Sequence, residues 1–335
     1  MSFSLFTDPT MLPGNGPYEL FDPGWLAALT GYQNFLSPTT HRPMPYGGLV
    51  IDVPDTVKIA LAGDWGTNMA PATGSIRDLI ISEDCDYTLH LGDTYYSGTC
   101  EENEAFAAMW PEGSRGSFNL TSNHDFYAGF TGYLQTLADP KFAAQANNPY
   151  FALRNHNWII IALDTASHSQ SFLCKDGFLD NRQLLWLNQL VKDSAPRGVI
   201  LLSHHDGFNL EALDAECQNP RPRGILYKSL YGQVALPSDR PCFWYWGHVH
   251  CPIAYRYNNV RARCIGHGGI PYLPFPDFYK DFGDSLVTVE WVETDAARDG
   301  NPLRAPNGFA VLRMDGPTIS EQFVDEYARS RWSNP

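Results

Sequence analysis

Five places in this chain put metal-ligand or acid–base side chains directly behind an apolar run. VKIALAGD (57–64) and DYTLHLGD (86–93) end on Asp64 and Asp93. SFNLTSNHD (117–125) delivers Asn123 and His124, GVILLSHHD (198–206) delivers His204 and His205, and CFWYWGHVH (242–250) delivers His248 and His250. Carboxylate, amide and imidazole groups together can bind hard and borderline cations. Each element has an ordinary explanation by itself, since Gly-Asp after a strand is a common turn and a single His often serves packing. His248 and His250 are two residues apart, so in extended chain their rings share one face. Taken in order, the five point to one convergent site, because ligands in open α/β sheets bind beyond the carboxyl ends of the strands.

The elements that must position these residues alternate. Short β-rich runs, including NWIIIALDT (157–165), are separated by loops and by helical stretches. In LDNRQLLWLNQLVKDS (179–194), Leu184, Leu187, Leu190 and Val191 fall on one helical face. Glu102–Trp110 also reads helical, as does a short stretch around Trp25–Phe35. This alternation predicts an α/β fold with much parallel sheet. DSLVTVEWVE (284–293), GFAVLRMDG (308–316) and the following ISEQFVDEY read as antiparallel strands that complete a second sheet. The expected architecture is a two-sheet β-sandwich flanked by helices, in four αββα layers. Residues 1–55, rich in Pro and Gly, are expected to form an arm packed on a single domain spanning 56–335.

Composition narrows the function. With 335 residues and 44% hydrophobic content the chain can bury a large core, which excludes a disordered protein. Its formal charge of −14 argues against a nucleic-acid or anionic-membrane binder. It leaves small phosphorylated substrates open, because a bound metal reverses the local sign. Apolar runs are too short to span a membrane. The first residues lack a secretory pattern, so a cytoplasmic location is expected, although a mature secreted chain would look the same. The seven cysteines show no CxxC spacing and read as reduced thiols, with a Cys174–Cys217 pair as the alternative. Dinucleotide, P-loop and nucleophile-elbow motifs do not occur.

The ordered series GDWG (63–66), GDTYY (92–96), SNHD (122–125), SHH (203–205) and GHVH (247–250) resembles the calcineurin-like metallophosphoesterase superfamily. More specifically it resembles the purple acid phosphatase branch. Gly66 stands where the general superfamily has a His, and Tyr96 stands at that branch's GDxxY position. The resemblance implies a dinuclear centre in which Asp93 bridges the metals. Asp64, Tyr96 and His250 would complete the ligands of Fe(III). Asn123, His204 and His248 would complete those of a divalent ion, Fe, Zn or Mn. It further implies hydrolysis of small phosphate monoesters by attack of metal-bound hydroxide, with His124 as proton donor and Asp125 orienting it. A phosphodiesterase on the same site is the alternative, and a non-catalytic metal-binding regulator is the rival from another class.

Three features depart from the motifs. Ser122 replaces a usual Gly, His205 competes with His204 because no Pro fixes the register, and Tyr95 competes with Tyr96. Asp164 is expected to be a structural cap, His90 a core or supporting residue, and Trp244 and Trp246 core aromatics. The oligomeric state and the physiological substrate are left open by the sequence.

Overall fold

A computed structural model describes residues 24–35, 44–45, 47–65, 72–94, 96–169, 171–174, 176–207, 236–250, 252–270, 272, 274, 287–299, 301–302 and 304–335. All six apolar runs are strands. They are β2 (Thr56–Ala62), β3 (Tyr87–His90), β4 (Gly116–Asn119), β6 (Trp158–Ala162), β7 (Gly198–Ser203) and β8 (Cys242–Trp246). β6, β7 and β8 are buried at every position. Strands covered on both faces lose the polar–apolar alternation and read as continuous apolar runs.

Further strands complete two sheets. β1 (Leu49–Asp52), β5 (Phe151–Arg154), β9 (Ile253–Tyr257), β10 (Val260–Cys264) and β11 (Val287–Val292) join β6, β7 and β8 in an eight-stranded sheet ordered β1-β5-β6-β7-β8-β10-β9-β11. β12 (Gly308–Asp315), β13 (Thr318–Asp325) and β14 (Ser330–Asn334) extend the other sheet, ordered β14-β13-β12-β2-β3-β4. The expectation for the C-terminal strands needs one correction. β12 and β13 complete the six-stranded sheet, whereas β11 pairs antiparallel with β9 at the edge of the larger one. Alternation identified β11 as a strand and carried no information about its partner.

The helices cover the outer faces. Between the sheets lie Ile59, Leu61, Leu89 and Phe118 from one side and Ile160, Ile200, Leu202 and Phe243 from the other. α6 (Asn181–Asp193) packs Leu184, Leu187 and Val191 on the far face of the large sheet, against Ile161, Leu201, Trp244 and Trp246. α2 (Ala72–Ser82) and α3 (Cys100–Met109) place Ile76, Ile80 and Phe106 on the far face of the small sheet. The result is the expected αββα sandwich.

Two shorter helices follow, α4 (Asn123–Tyr127) and α5 (Thr131–Ala138). Of the N-terminal arm, α1 (Gly24–Phe35) lies on α4, and β1 pairs in parallel with β5. Five described cysteines, Cys85, Cys100, Cys174, Cys242 and Cys264, are free thiols. Cys217 of the alternative pairing lies outside the described residues, as does Tyr95. Among the described residues, no helix is long and apolar enough to cross a membrane.

Candidate metal centre

The carboxyl ends of β2, β3 and β4 in one sheet meet those of β7 and β8 in the other. Asp64 follows β2, Asp93 follows β3, and Asn123 and His124 open α4 just beyond β4. His204 directly follows β7, and His248 and His250 follow β8. The turns are held to one another. The Asp64 N–H donates to Gly92 O at 2.9 Å, Gly247 N–H to His204 O at 3.1 Å, and His248 N–H to Asp64 Oδ2 at 2.9 Å.

The turns are tight enough to strain the backbone. Asp64, Asp93 and His248 have φ of 55°, 66° and 61°. Left-handed conformations in non-glycine residues cost on the order of 1 kcal/mol or more each and concentrate at functional sites. Two glycines leave the space these side chains need. A Cβ on Gly92 (φ +97°) would lie 2.8 Å from His204 Nδ1, and one on Gly247 would lie 2.5 Å from Asp64 Oδ2.

Distances within the cluster are short. His204 Nε2 lies 3.2 Å from Asp93 Oδ1 and 2.8 Å from Asn123 Oδ1. His250 Nε2 lies 3.2 Å from Asp64 Oδ1, and His124 Nε2 lies 3.8 Å from Asp93 Oδ2. Two donor groups can be drawn, Asp64–Asp93–His250 and His204–His205–His248, each with ligand atoms within 4.8 Å of one another. The Asp93–His204 approach joins them.

The proton positions decide what this convergence means. His204 Nδ1 lies 2.9 Å from Leu91 O, an acceptor, so in the neutral ring the proton sits on Nδ1 and Nε2 carries a lone pair. Asn123 Nδ2 donates to Tyr127 Oη at 3.1 Å, which turns Oδ1 toward His204. With the ring in that form, His204 Nε2 has no hydrogen for either oxygen it approaches, Asn123 Oδ1 or Asp93 Oδ1. Asp64 Oδ1 and Asp93 Oδ1 are buried without a hydrogen-bond partner. Buried oxygens left so are costly unless a cation compensates them. These donors fit metal ions.

Burial raises the Asp64 carboxyl above its usual range. Burial pushes Asp93 the same way, but positive charge on neighbouring histidines, His124 foremost, outweighs it and holds Asp93 well below the usual range. Burial, reinforced by His205 and His204, drives His248 well below the normal histidine range, so its ring is neutral, the form that ligates metals.

His204 and His205 separate clearly. The His205 Nε2–H donates to Cys174 O at 2.8 Å, and its Nδ1 lies 2.8 Å from Thr165 Oγ1, the hydroxyl donating to it. Both His205 nitrogens are thereby engaged, and burial lowers its pKa to about 3. His204 Nε2, by contrast, faces Asp93 Oδ1 and Asn123 Oδ1.

Ser122 causes no strain. It is extended (φ −137°, ψ 170°) and caps α4 reciprocally with Asp125, so no glycine-only conformation is needed. Asp125 sits differently from the expectation of a partner orienting the His124 ring. Its Oδ2 accepts from Ser122 N at 3.0 Å and Ser122 Oγ at 2.8 Å, while Oδ1 has no hydrogen-bond partner. Burial, with Asp93 nearby, lifts its pKa to about 8 despite the Ser122 hydrogen bonds. Asp125 fixes the turn that carries His124 by capping the helix.

Tyr96 is half-buried in the loop after Asp93, and its N–H donates to Glu102 Oε1 at 3.3 Å. Glu102 also accepts from the N–H groups of Ser97 and Thr99 at 3.3 and 2.9 Å. It therefore pins the loop that carries Tyr96. The sequence signal for this was available, because Thr99-x-x-Glu102 is a capping box.

Other candidates are structural. Asp164 accepts from Thr121 Oγ1 at 2.6 Å and Ser167 N at 3.0 Å. His90 packs against Phe106 and Trp110 and bonds Asn119 Oδ1 at 2.8 Å.

Comparison with known proteins identifies the family and the fold. A family model described as calcineurin-like phosphoesterase matches residues 57–252, more than half the chain and every motif above. A solved structure titled GAP50, the anchor in the inner membrane complex of Plasmodium, aligns with a TM-score of 0.57 at 12% identity, covering 83% of this chain and 88% of that one. The structure of PhoD aligns with a TM-score of 0.54 at 12% identity, covering 84% of this chain and 67% of that one. Identities this low establish a shared fold alone. No curated protein matches the sequence.

Proposed function

The chain belongs to the calcineurin-like phosphoesterase family, and on that premise we propose that it hydrolyses small phosphate monoesters at a dinuclear metal centre. Family membership makes it a metal-dependent phosphoric ester hydrolase. The finer reading rests above all on one observation, the approach of His204 Nε2 to Asn123 Oδ1 at 2.8 Å and to Asp93 Oδ1 at 3.2 Å.

In this reading Asp64, Tyr96 and His250 hold a ferric ion, Asn123, His204 and His248 hold a divalent Fe, Zn or Mn ion, and Asp93 serves both. Phenolate and carboxylate oxygens suit the harder ion, and imidazoles suit the softer one. When bound, the two cations polarise the phosphoryl oxygens and lower the pKa of the attacking water. They also outweigh the negative charges of Asp64, Asp93 and Tyr96, so the site attracts phosphate on a chain of charge −14.

His124 is the proton donor to the leaving alcohol. It lies at the edge of the cluster with 12% of its side chain exposed, its Nε2 3.8 Å from Asp93 Oδ2. Asp125 supports it through the cap that starts α4. His205, with both nitrogens bonded, buttresses the wall beside His248, its ring 4.8 Å away.

The reading is tested by turnover of a chromogenic phosphomonoester and its diester across pH, with visible spectroscopy. We expect monoester turnover to exceed diester turnover, and a phenolate-to-iron absorption band that Tyr96→Phe abolishes. A diester preference would move the assignment to a phosphodiesterase. A colourless protein fully active with zinc or manganese alone would remove the ferric ion and leave the hydrolase.

A further inference from the structure

A terminal amide can present either its oxygen or its NH2, and only the oxygen is a useful metal donor. What sets the orientation of Asn123 is traceable atom by atom. Leu173 O, a carbonyl, can only accept, so the Tyr127 hydroxyl 3.3 Å away spends its proton there. Tyr127 Oη then has only lone pairs left for Asn123, 3.1 Å away, and the amide must turn its NH2 toward Tyr127. Asn123 Oδ1 is thereby aimed at His204 Nε2, 2.8 Å away. Turned the other way, the amide would place hydrogens against Tyr127 no longer and against the metal ligands instead.

The start of this relay is held from outside the family-matched segment. Leu173 N–H donates to Tyr32 Oη at 3.1 Å, and Tyr32 belongs to α1 of the N-terminal arm. The Tyr32 and Tyr127 rings meet edge to face with centroids 5.6 Å apart. Gly31 brings the α1 backbone close, since a Cβ there would lie 3.0 Å from Tyr127 O and 3.2 Å from Ser97 Cβ. α1 thus rests on both α4, which carries Asn123 and His124, and the loop just after Tyr96. Cys174 O accepts from His205, which ties the same short segment to the end of β7. Leu173 and Cys174 are both left-handed, at φ of 58° and 51°, a conformation these contacts maintain.

We infer that Tyr127 is a positioning residue that fixes the Asn123 amide with its oxygen toward the metal centre, and that Tyr32 of the N-terminal helix holds Tyr127 in that role through Leu173. The arm is then part of the catalytic apparatus rather than a cover. The inference rests on the assignment of Asn123 as a ligand.

Tyr127→Phe keeps the ring and deletes the relay, and Tyr32→Phe deletes only its anchor. Manganese or zinc binding to the full chain is titrated by calorimetry, and turnover is followed as free metal rises. Interactions that orient ligands from behind are typically worth 10–100-fold in metal affinity, so Tyr127→Phe should weaken one of the two sites by about that factor. Tyr32→Phe should weaken the same site less, and excess metal should restore turnover in both. Tyr133→Phe, which loses a buried hydroxyl bonded to Asn119 O, serves as the control and should bind metal as wild type does. Excess metal would also counter a general loosening of the fold by mass action, so the Tyr133→Phe control is what separates the relay from loosening. Wild-type affinity at both sites in Tyr127→Phe would overturn the relay and leave the metal centre standing. If Tyr127→Phe fails to fold, an unaltered affinity in Tyr32→Phe overturns the role given to the arm. A wild-type chain that binds no metal would instead overturn the centre itself, and the relay with it.

Discussion

Asp93→Asn is expected to lose metal and turnover together, by on the order of 10³-fold or more in kcat/KM. The charge stabilisation supplied by bound metals is worth several kcal/mol, and each 1.36 kcal/mol is about tenfold in rate. Asp93 is the carboxylate shared by the two halves of the cluster, facing His204 on one side and grouped with Asp64 and His250 on the other. The substitution is clean for a local reason. Asp93 has a φ of 66°, and Asn is among the few residues that tolerate the left-handed region. The circular dichroism spectrum should therefore stay native while metal content and hydrolysis fall. Unchanged hydrolysis would remove Asp93 from the centre.

The second large effect is on stability and lies away from the site. Arg263 of β10 and Glu321 of β13 form a bidentate ion pair across the sandwich, with Nε–Oε2 at 2.7 Å and Nη2–Oε1 at 3.0 Å. Both side chains are buried, and Tyr245 and Asn334 also donate to Glu321. The guanidinium stacks 4.6 Å from the Trp332 ring centroid and also contacts Glu290 Oε2 at 3.0 Å. Glu321→Gln leaves a buried arginine with its main partner removed, and breaking such a pair costs about 3–5 kcal/mol. Replacing both partners with apolar residues of similar volume should cost far less, because no charge is stranded.

The pH dependence follows from the same pair. Burial would raise the Glu321 carboxyl, but Arg263 holds it below its ordinary value. A depressed folded pKa stabilises above the unfolded value of about 4.3, and that stabilisation is lost as pH falls through the folded pKa. In chelator, urea unfolding of wild type should weaken below about pH 4. The gap between wild type and Glu321→Gln should narrow over the same range. A gap that stays constant down to pH 2 would show that the ionised carboxylate contributes nothing.

How far the sequence could carry this account depended on which interactions are local. Strands β6, β7 and β8 were legible because burial on both faces makes their sequences continuously apolar. β1 and β5 are only four residues long and give no pattern to read. β10 hides behind VRARC, where Arg263 looks like a surface residue and is fully buried against Glu321. At the site, the donor types and their order along the chain were visible, since each follows its own strand. The different surroundings of His204 and His205 were not, because they depend on two distant carbonyls, Leu91 O and Cys174 O. Ser122 looked like a departure, although Ser122-x-x-Asp125 carries the capping-box pattern that explains it. The contribution of Tyr127 and Tyr32 left no sequence signal, because it exists only through Leu173.

Asp64, Asp93, Asn123, His204, His248 and His250 are proposed to be metal ligands serving phosphoester hydrolysis. The direct measurement is metal per chain together with hydrolysis of a chromogenic phosphomonoester, before and after removal of metal by a chelator. Two metal ions per chain are expected, with loss of hydrolysis when they are removed and recovery when they are returned. Full hydrolysis by the metal-free chain would contradict that proposal.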